Sequence, residues 1–434
     1  MPTILASAAL PGSGPSLWLA IPFVLLLGLI ATGPLLFRHF WIRYYHLVAV
    51  GLGAITAGYY LFVIKEPKPL LHVAEEYVSF IALIGSLYVI SGGIHIRVKG
   101  EGTPAVNCLF LFIGAVVSNL VGTTGASMLF IRPWIRLNRY RITSHHIVFF
   151  IFIVSNVGGG LTPIGDPPLF LGYLKGVPFW WVLEHCWEAW VIGVGGLIAI
   201  FYVIDRRNFL RAPKEVRESQ TEHEEWHFDG LRNVWFLGLA LAGVFLPIGW
   251  REGVLVAAAA GSWFSTPKKV HRANGFDFHP VKEVAWLFAG IFATMIPALQ
   301  WMELHAGELG VRTPNQFYWL TGSLSGILDN APTYLAFLAA AFGLTELDLD
   351  QKSDVIAFAT EHHHILIAIS VSSVFFGAMT YLGNGPNFMV KAIADAQKVE
   401  APGFLSYILR YSLPILLPFL VLVSILFFSP WRVF

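Results

Sequence analysis

Apolar residues form long, nearly uninterrupted runs along this chain, separated by short polar stretches. Many of the runs reach the roughly 20 residues that a helix needs to cross a hydrocarbon layer of about 30 Å. The pattern therefore predicts an all-α protein that crosses a membrane several times. The twelve runs lie near residues 17–37, 46–64, 77–95, 105–138, 146–174, 179–203, 233–248, 252–264, 283–302, 316–343, 363–390 and 405–428.

Composition supports a polytopic membrane protein whose immediate partner is the lipid bilayer. Of 434 residues, 56% are hydrophobic and 13% are charged, whereas soluble proteins carry about 25% charged residues. The formal net charge of +1 gives no reason to expect a nucleic-acid partner. Cys108 and Cys186 lie in or beside apolar runs and do not form a disulfide framework. A soluble globule, a nucleic-acid binder and a disordered scaffold are excluded.

A polar stretch divides the twelve runs into two sets of six. We predict a first half over residues 1–204, a cytoplasmic linker over 205–232 and a second half over 233–434. The loops assigned to the cytoplasmic side hold 20 Lys and Arg, against 7 in the opposite loops and termini. Because positive loops stay in the cytoplasm, we expect both termini outside an inner or plasma membrane. Residues 1–16 lack Lys and Arg, so we expect no secretory signal.

Two runs have flanking charges that do not suit a single crossing. The run at 105–138 is basic at both ends, and the run at 316–343 must begin and end on the outer side. Both contain small or polar residues at their centres, and we predict re-entrant hairpins there. Each half then has five crossing helices plus a hairpin, so the halves are predicted to be inverted repeats. A shift of 218 residues aligns 162–168 with 380–386, and a less specific shift of 211 aligns Ser118 with Asp329.

Four places interrupt the apolar runs with helix-breaking and polar residues. They are two hairpin tips, at 118–125 and 329–333, and two breaks, at 155–168 and 377–387. Because proline lacks an N–H and glycine weakens a helix, we predict discontinuous helices at the membrane midplane. Their free carbonyls and helix ends attract ions, although simple packing kinks are the alternative. The predicted backbone breaks are Gly158, Gly159, Gly160, Pro163, Gly165, Pro332, Gly377, Gly383, Gly385 and Pro386.

Two carboxylates fall inside these interruptions, Asp166 and Asp329, and no Lys or Arg accompanies them. Charges at bilayer depth are costly and usually functional, although each Asp could instead cap a half-helix. We predict that both bind a proton or a small cation such as Na⁺, with Asp329 ranked first because Pro167 favours the capping role for Asp166. The predicted supporting ligands are Ser118, Asn119, Ser155, Asn156, Thr162, Asn330, Thr333, Thr380, Asn384 and Asn387.

Other chemistry-bearing patterns are weak. We find no nucleophile–histidine–acid arrangement, phosphate loop or zinc spacing, so we expect neither an enzyme nor a cofactor. Five histidines near helix starts favour interfacial polarity over a pH sensor. They are His145, His146, His362, His363 and His364.

At the four interruptions the chain resembles the ion transporter superfamily, which includes NhaD-type sodium/proton antiporters, arsenite permeases and citrate–metal carriers. The matching strings are SNLVGTT at 118–124, VSNVGGGLTPIGDPP at 154–168, LDNAPT at 328–333 and GAMTYLGNGPN at 377–387. The resemblance is closest to a subgroup of sodium/proton antiporters or citrate transporters, and it covers most of the chain from about residue 75. It implies opposed hairpins, an elevator-like moving domain and a homodimer. Dicarboxylate relatives carry Ser-Asn-Thr at the hairpin tips, whereas Leu120 follows Ser118-Asn119 here.

Two functions follow from these residues. The first is exchange of Na⁺ or Li⁺ for H⁺, with both acids binding cation and proton in competition. The alternative is a Na⁺- or H⁺-coupled symporter of citrate or another organic anion or oxyanion. A channel fits poorly with two broken-helix repeats.

The loop charges make the topology testable. With Cys108 and Cys186 replaced by alanine, a Ser219→Cys variant should react with a membrane-impermeant maleimide only after the membrane is permeabilised, since the linker is expected in the cytoplasm. Labelling of this cysteine in intact cells would contradict the orientation and the inverted repeats inferred from it.

Overall fold

A computed structural model describes residues 16–97, 102–211 and 227–429. Most of the predicted linker, both chain ends and Ser219 lie outside the described residues. Two short strands, β1 (His95–Arg97) and β2 (His227–Asp229), pair antiparallel with Ile96 opposite Phe228. This pairing places the end of the linker beside the loop that follows the third helix, so both segments lie on the same side of the protein.

The described part of the first half contains seven helices. They are α1 (Ile21–Leu36), α2 (Arg38–Gly58), α3 (Lys68–Gly92), α4 (Pro104–Leu137), α5 (Ser144–Ile153), α6 (Pro167–Lys175) and α7 (Trp181–Arg211). A 3₁₀ turn at Leu17–Ala20 precedes α1, a π-helical segment at Tyr59–Ile64 extends α2, and a 3₁₀ turn at Val157–Gly159 follows α5.

The described part of the second half contains more helices, and many of them are shorter. Its helices are α8 (Asn233–Gly243), α9 (Trp250–Ser265), α10 (Lys268–Ala273), α11 (His279–Leu304), α12 (Pro314–Ser325), α13 (Asn330–Phe342), α14 (Lys352–Glu361), α15 (His363–Phe376), α16 (Gly385–Ala396), α17 (Phe404–Tyr407) and α18 (Leu417–Phe427). Single 3₁₀ turns lie at Ala306–Glu308 and Gly377–Met379, and π-helical Ile408–Leu416 joins α17 to α18.

The prediction of an all-α polytopic membrane protein is confirmed. Among the described residues, seven helices are long and apolar enough to cross a membrane, or eight if α14 and α15, bent by 94°, count as one. In the second half, however, α8 has 11 residues and α9 has 16, fewer than the roughly 20 of a full crossing. Gly249, with φ +89°, lies between them, and the charged Arg251 and Glu252 lie in the first turn of α9. The expected five crossings in this half are therefore not all full-length helices.

Helix α4 reverses direction at Gly122, where φ is +76°, a conformation that glycine adopts without strain. The ring of Phe110 lies 5.4 Å from that of Phe130 and 5.5 Å from that of Trp134. In a straight helix Phe110 and Phe130 would be about 30 Å apart. The two arms of α4 therefore pack as a hairpin.

Helices α12 and α13 form a second hairpin with the same internal geometry. The Phe317 and Phe337 rings lie 6.5 Å apart at 83°, and the Phe110 and Phe130 rings are inclined at 85°. A sequence shift of 207 residues aligns the Phe110–Phe130 pair with the Phe317–Phe337 pair. The same shift aligns Thr123 with Asn330. This corrects the shift of 211, since the tips differ too much in sequence for their register to be evident without the packing.

Two groups of helices pack mainly within themselves. Helices α1–α3, α8, α9 and α11 contact one another and form what we call the frame. The two hairpins and the broken helices α5–α6 and α15–α16 form what we call the core. The two groups pack on each other where α3 meets α4 and where α11 meets α13. A buried ion pair also joins them, because Lys175 Nζ of the core lies 3.0 Å from Glu76 Oε1 of the frame. Lys175 is also 3.0 Å from Asp350 Oδ1.

A second buried charge cluster holds the base of the first hairpin. Arg141 donates to both oxygens of Asp205, with an Nη2–Oδ2 distance of 2.8 Å. His145 and His146 lie 3.4 and 3.0 Å from Asp205 Oδ1, and Asn107 donates to Oδ2 at 3.0 Å. His145 and His146 are therefore buried partners of an acid rather than interfacial groups. Because Arg141 already neutralises Asp205, the cluster is an ion pair and not an open metal site.

Asp205→Asn should destabilise the protein, because Arg141 would stay buried without its counter-charge. Removing one partner of a buried pair costs about 3–5 kcal/mol, so the apparent melting temperature of the purified protein in detergent should fall clearly. The matched control is Asp395→Asn, which removes an exposed pair with Lys391 and should cost less than about 1 kcal/mol. Equal melting temperatures for the two variants would show that the Arg141–Asp205 pair contributes no stability.

Candidate functional site

The broken helices of the core unwind between α5 and α6 and between α15 and α16. In each break the backbone closes on itself through a pair of glycines. A Cβ atom on Gly165 would lie 2.1 Å from the Gly159 carbonyl oxygen, and one on Gly383 would lie 2.6 Å from that of Gly377. These glycine pairs are equivalent under the shift of 218, so both halves use the same close backbone approach.

Each hairpin tip binds the broken helix of its own half through the backbone. The N–H of Thr123 donates to the carbonyl of Gly165 at 2.8 Å, and that of Asn330 donates to the carbonyl of Gly383 at 3.1 Å. The two bonds are equivalent under the shifts of 207 and 218. The tip and the break of each half are thereby fixed side by side.

Asp166 joins all four interruptions. Its side chain is 1% exposed. Oδ1 accepts hydrogen bonds from Thr123 Oγ1 at 2.6 Å and Asn384 Nδ2 at 2.8 Å, and Oδ2 accepts one from Asn330 Nδ2 at 2.6 Å. Although Asp166 precedes α6, its side chain makes no capping hydrogen bond. The carboxylate is held by residues from both hairpin tips and the opposite broken helix.

The surroundings of Asp166 are polar but neutral. The three groups that donate to its carboxylate are one hydroxyl and two amides, and none of them is charged. A buried ionised carboxylate is strongly unfavourable unless a positive charge or a proton neutralises it. The arrangement is therefore suited to take up a proton or a small cation.

Two side-chain oxygens near Asp166 have no hydrogen-bond partner among the described residues, Asn156 Oδ1 and Asn330 Oδ1. The orientation of Asn156 is set by its Nδ2, which donates to Ile151 O at 2.8 Å and to Asn387 Oδ1 at 2.7 Å. A Cβ on Gly377 would lie 2.9 Å from Asn156 Oδ1 and 3.4 Å from Asn330 Nδ2, so both amides pack closely against the Gly377 backbone. Buried oxygens without donors are ligands that a hard cation prefers.

Asp329 has a different environment. It is partly exposed, and its Oδ1 accepts a hydrogen bond from the N–H of Ala331 at 3.1 Å as the N-cap of α13. Its carboxylate lies close enough to that of Asp166 for electrostatic repulsion between them. This geometry favours Asp166 as the central acid and Asp329 as a cap that adds negative charge nearby, the reverse of the order expected from sequence.

Several predicted ligands instead hold the unwound backbone. Ser118 Oγ donates to Val154 O at 2.8 Å, and Asn119 Nδ2 donates to Gly158 O at 2.6 Å. Thr162 and Thr380 accept hydrogen bonds from the N–H groups three residues later, both at 3.2 Å. Ser155 pairs with Ser127, and Thr333 donates to the Asp329 carbonyl.

Thr123 is the site residue that sequence reasoning missed. It lies in the predicted hairpin tip, but no neighbouring residue marks it as a ligand. Its role becomes visible only when the first tip is aligned with the second by the shift of 207, which places it at the position of Asn330.

Residues 12–428 match the CitMHS_2 family model, described as "Putative citrate transport". The chain belongs to the CitMHS_2 family. The match confirms the resemblance to the ion transporter superfamily and its citrate transporter subgroup, and with the apolar helices it identifies a multi-pass membrane transporter. No curated protein matches the chain significantly.

Gly165→Ala should abolish transport by this CitMHS_2 family member while Gly195→Ala should not. A Cβ at position 165 would collide with the Gly159 carbonyl, whereas one at position 195 meets no atom within 4 Å. The collision would displace the backbone next to Asp166. Membrane expression and transport by reconstituted protein would be measured for both variants, and normal transport by Gly165→Ala would show that this close approach is dispensable.

Proposed function

We propose that the protein is a secondary active transporter that exchanges Na⁺ for H⁺ at Asp166. The observation that supports this most strongly is the buried Asp166 carboxylate, which neutral donors from three other interruptions hold without a cationic partner. A fixed positive charge, which an organic anion would need, is missing from these contacts.

In this mechanism the ionised Asp166 binds Na⁺, and the free oxygens of Asn156 and Asn330 complete part of its coordination. A proton on the same carboxylate removes the charge and with it the cation. Since the two substrates need the same oxygens, each displaces the other, which is the requirement for coupled exchange. Asp329 would strengthen the attraction for either cation through its nearby charge.

Access from alternate sides would come from movement of the core against the frame. The two bodies pack mainly within themselves, and the site lies entirely in the core. We expect the protein to act in an inner or plasma membrane with the linker in the cytoplasm, and to form a homodimer as the superfamily resemblance implies. Na⁺ and H⁺ would be its transported substrates.

Symport of citrate or a related anion is the second candidate, and the family description favours it. Cation binding at Asp166 would then allow an anion to approach the N-termini of α6 and α16. Three prolines weaken this possibility, because Pro167, Pro168 and Pro386 occupy the first turns of these helices and provide no N–H donors.

Purified protein in liposomes with an imposed pH gradient distinguishes the two functions. We expect added Na⁺ to dissipate the gradient without citrate, as reported by a fluorescent pH probe, and choline to have no effect. A requirement for citrate, with citrate uptake, would replace exchange by symport.

Asp166→Asn should abolish exchange, because the amide keeps the shape but carries neither charge nor proton. Asp329→Asn should reduce it less, since Asn caps a helix about as well as Asp. Both variants would be compared at equal folded amounts in the same liposome assay. Full activity of Asp166→Asn, or a greater loss in Asp329→Asn, would contradict the central role of Asp166.

A further inference from the structure

We propose that position 384 is a second carboxylate position of the same cation site, so that the site requires one negative charge which either half of the protein can supply. This inference rests on the proposed role of Asp166. It follows from a local two-fold relationship in which Asp166 of the first half is equivalent to Asn384 of the second.

The backbone around the two positions is nearly identical. Asp166 has φ −144° and ψ 145°, and Asn384 has φ −154° and ψ 139°. Each residue precedes a half-helix of its repeat, and neither side chain makes a capping hydrogen bond. Upstream, the Thr162–Gly165 and Thr380–Gly383 hydrogen bonds have the same length of 3.2 Å. The two side chains therefore leave equivalent backbones in equivalent directions.

The side chains also meet. Asn384 Nδ2 donates to Asp166 Oδ1 at 2.8 Å, and both residues are buried. The other two donors to the carboxylate, Thr123 and Asn330, are themselves equivalent under the shift of 207. A cation bound at this meeting point would be contacted by both halves, with a carboxylate from the first broken helix and an amide from the second.

Exchanging Asp166 and Asn384 leaves the site with one carboxylate and one amide. With an amide at 166 and a carboxylate at 384, the hydrogen bond between them can form in the opposite direction, and the number of charges is unchanged. One contact would be lost, because Asn384 Nδ2 also donates to Ser155 O at 3.1 Å. We therefore expect the exchanged protein to regain part of the activity rather than all of it.

The test compares the wild type, Asp166→Asn and the double variant Asp166→Asn/Asn384→Asp in the liposome assay. The single variant should lack Na⁺-driven proton movement, and the double variant should recover a clear fraction of it. Na⁺ should also raise the melting temperature of the wild type and the double variant relative to choline, but not that of Asp166→Asn.

A matched control places the acid elsewhere in the same helix. Asn387 is buried in α16 and contacts Asn156 rather than Asp166. Its Nδ2 also donates to the carbonyls of Gly377 and Thr380, so Asp166→Asn/Asn387→Asp is compared only at a melting temperature that shows it folded. It has the same charge but should not recover exchange. Recovery by this control would show that any nearby acid suffices, which would overturn the equivalence of 166 and 384. A folded double variant that stays inactive and gains no stability from Na⁺ would overturn it as well.

The single variant Asn384→Asp provides a second test, which applies even if the double variant does not fold. It places two carboxylates in contact, and like charges at this distance share one proton, so half-maximal Na⁺ exchange should move to higher pH. An unchanged pH profile would exclude position 384 from the site. If Asp166→Asn itself exchanges normally, the proposed function fails, whereas loss in Asp166→Asn without recovery overturns only this inference.

Discussion

A buried carboxylate that lacks a charged partner is the constraint on which the centre of this protein depends. Ionised groups are strongly unfavourable away from water unless other groups compensate them. Asp166 receives its three hydrogen bonds from Thr123, Asn330 and Asn384, each on a different interruption of the apolar helices. The two hairpin tips and both unwound segments must therefore converge on one point, and much of the core is arranged to achieve this.

Convergence requires backbones to approach more closely than side chains allow. Gly165 lies against Gly159, and Gly383 against Gly377, with no space for a Cβ atom. The carbonyls that unwinding leaves free are satisfied by short polar side chains such as Ser118 and Asn119. Both halves use equivalent glycine pairs to pack the unwound backbone closely. Only the first half has an acid, Asp166, directly after its pair, since the second has Asn384 there. The shared backbone is thus structural, and Asp166 is the acid that distinguishes the first break from the second, which has Asn384 at the equivalent position.

The other buried acids show why Asp166 differs. Asp205 is neutralised by Arg141, and Glu76 lies against Lys175. Such pairs resemble the usual way in which proteins tolerate internal charge, since each ion supplies the partner of the other. Asp166 has only neutral donors, and in the described part of the chain the nearby oxygens of Asn156 and Asn330 have no hydrogen-bond partners. A structural acid is compensated within the protein, whereas the described residues that contact Asp166 supply no charge that compensates it.

The sequence by itself determined the membrane class, the four interruptions and the two acids within them, because the length of an apolar run and the helix-breaking effects of proline and glycine are local properties. It did not reveal Thr123 as a hydrogen-bond partner of Asp166, the shift of 207 that relates the hairpins, or the capping role of Asp329. Asp205 is the first residue of the predicted linker, and the sequence did not indicate that it pairs with Arg141. Only the tertiary structure decided these points, since the bonds to Asp166 join residues 43, 164 and 218 positions apart, and a local pattern does not specify which distant segments meet.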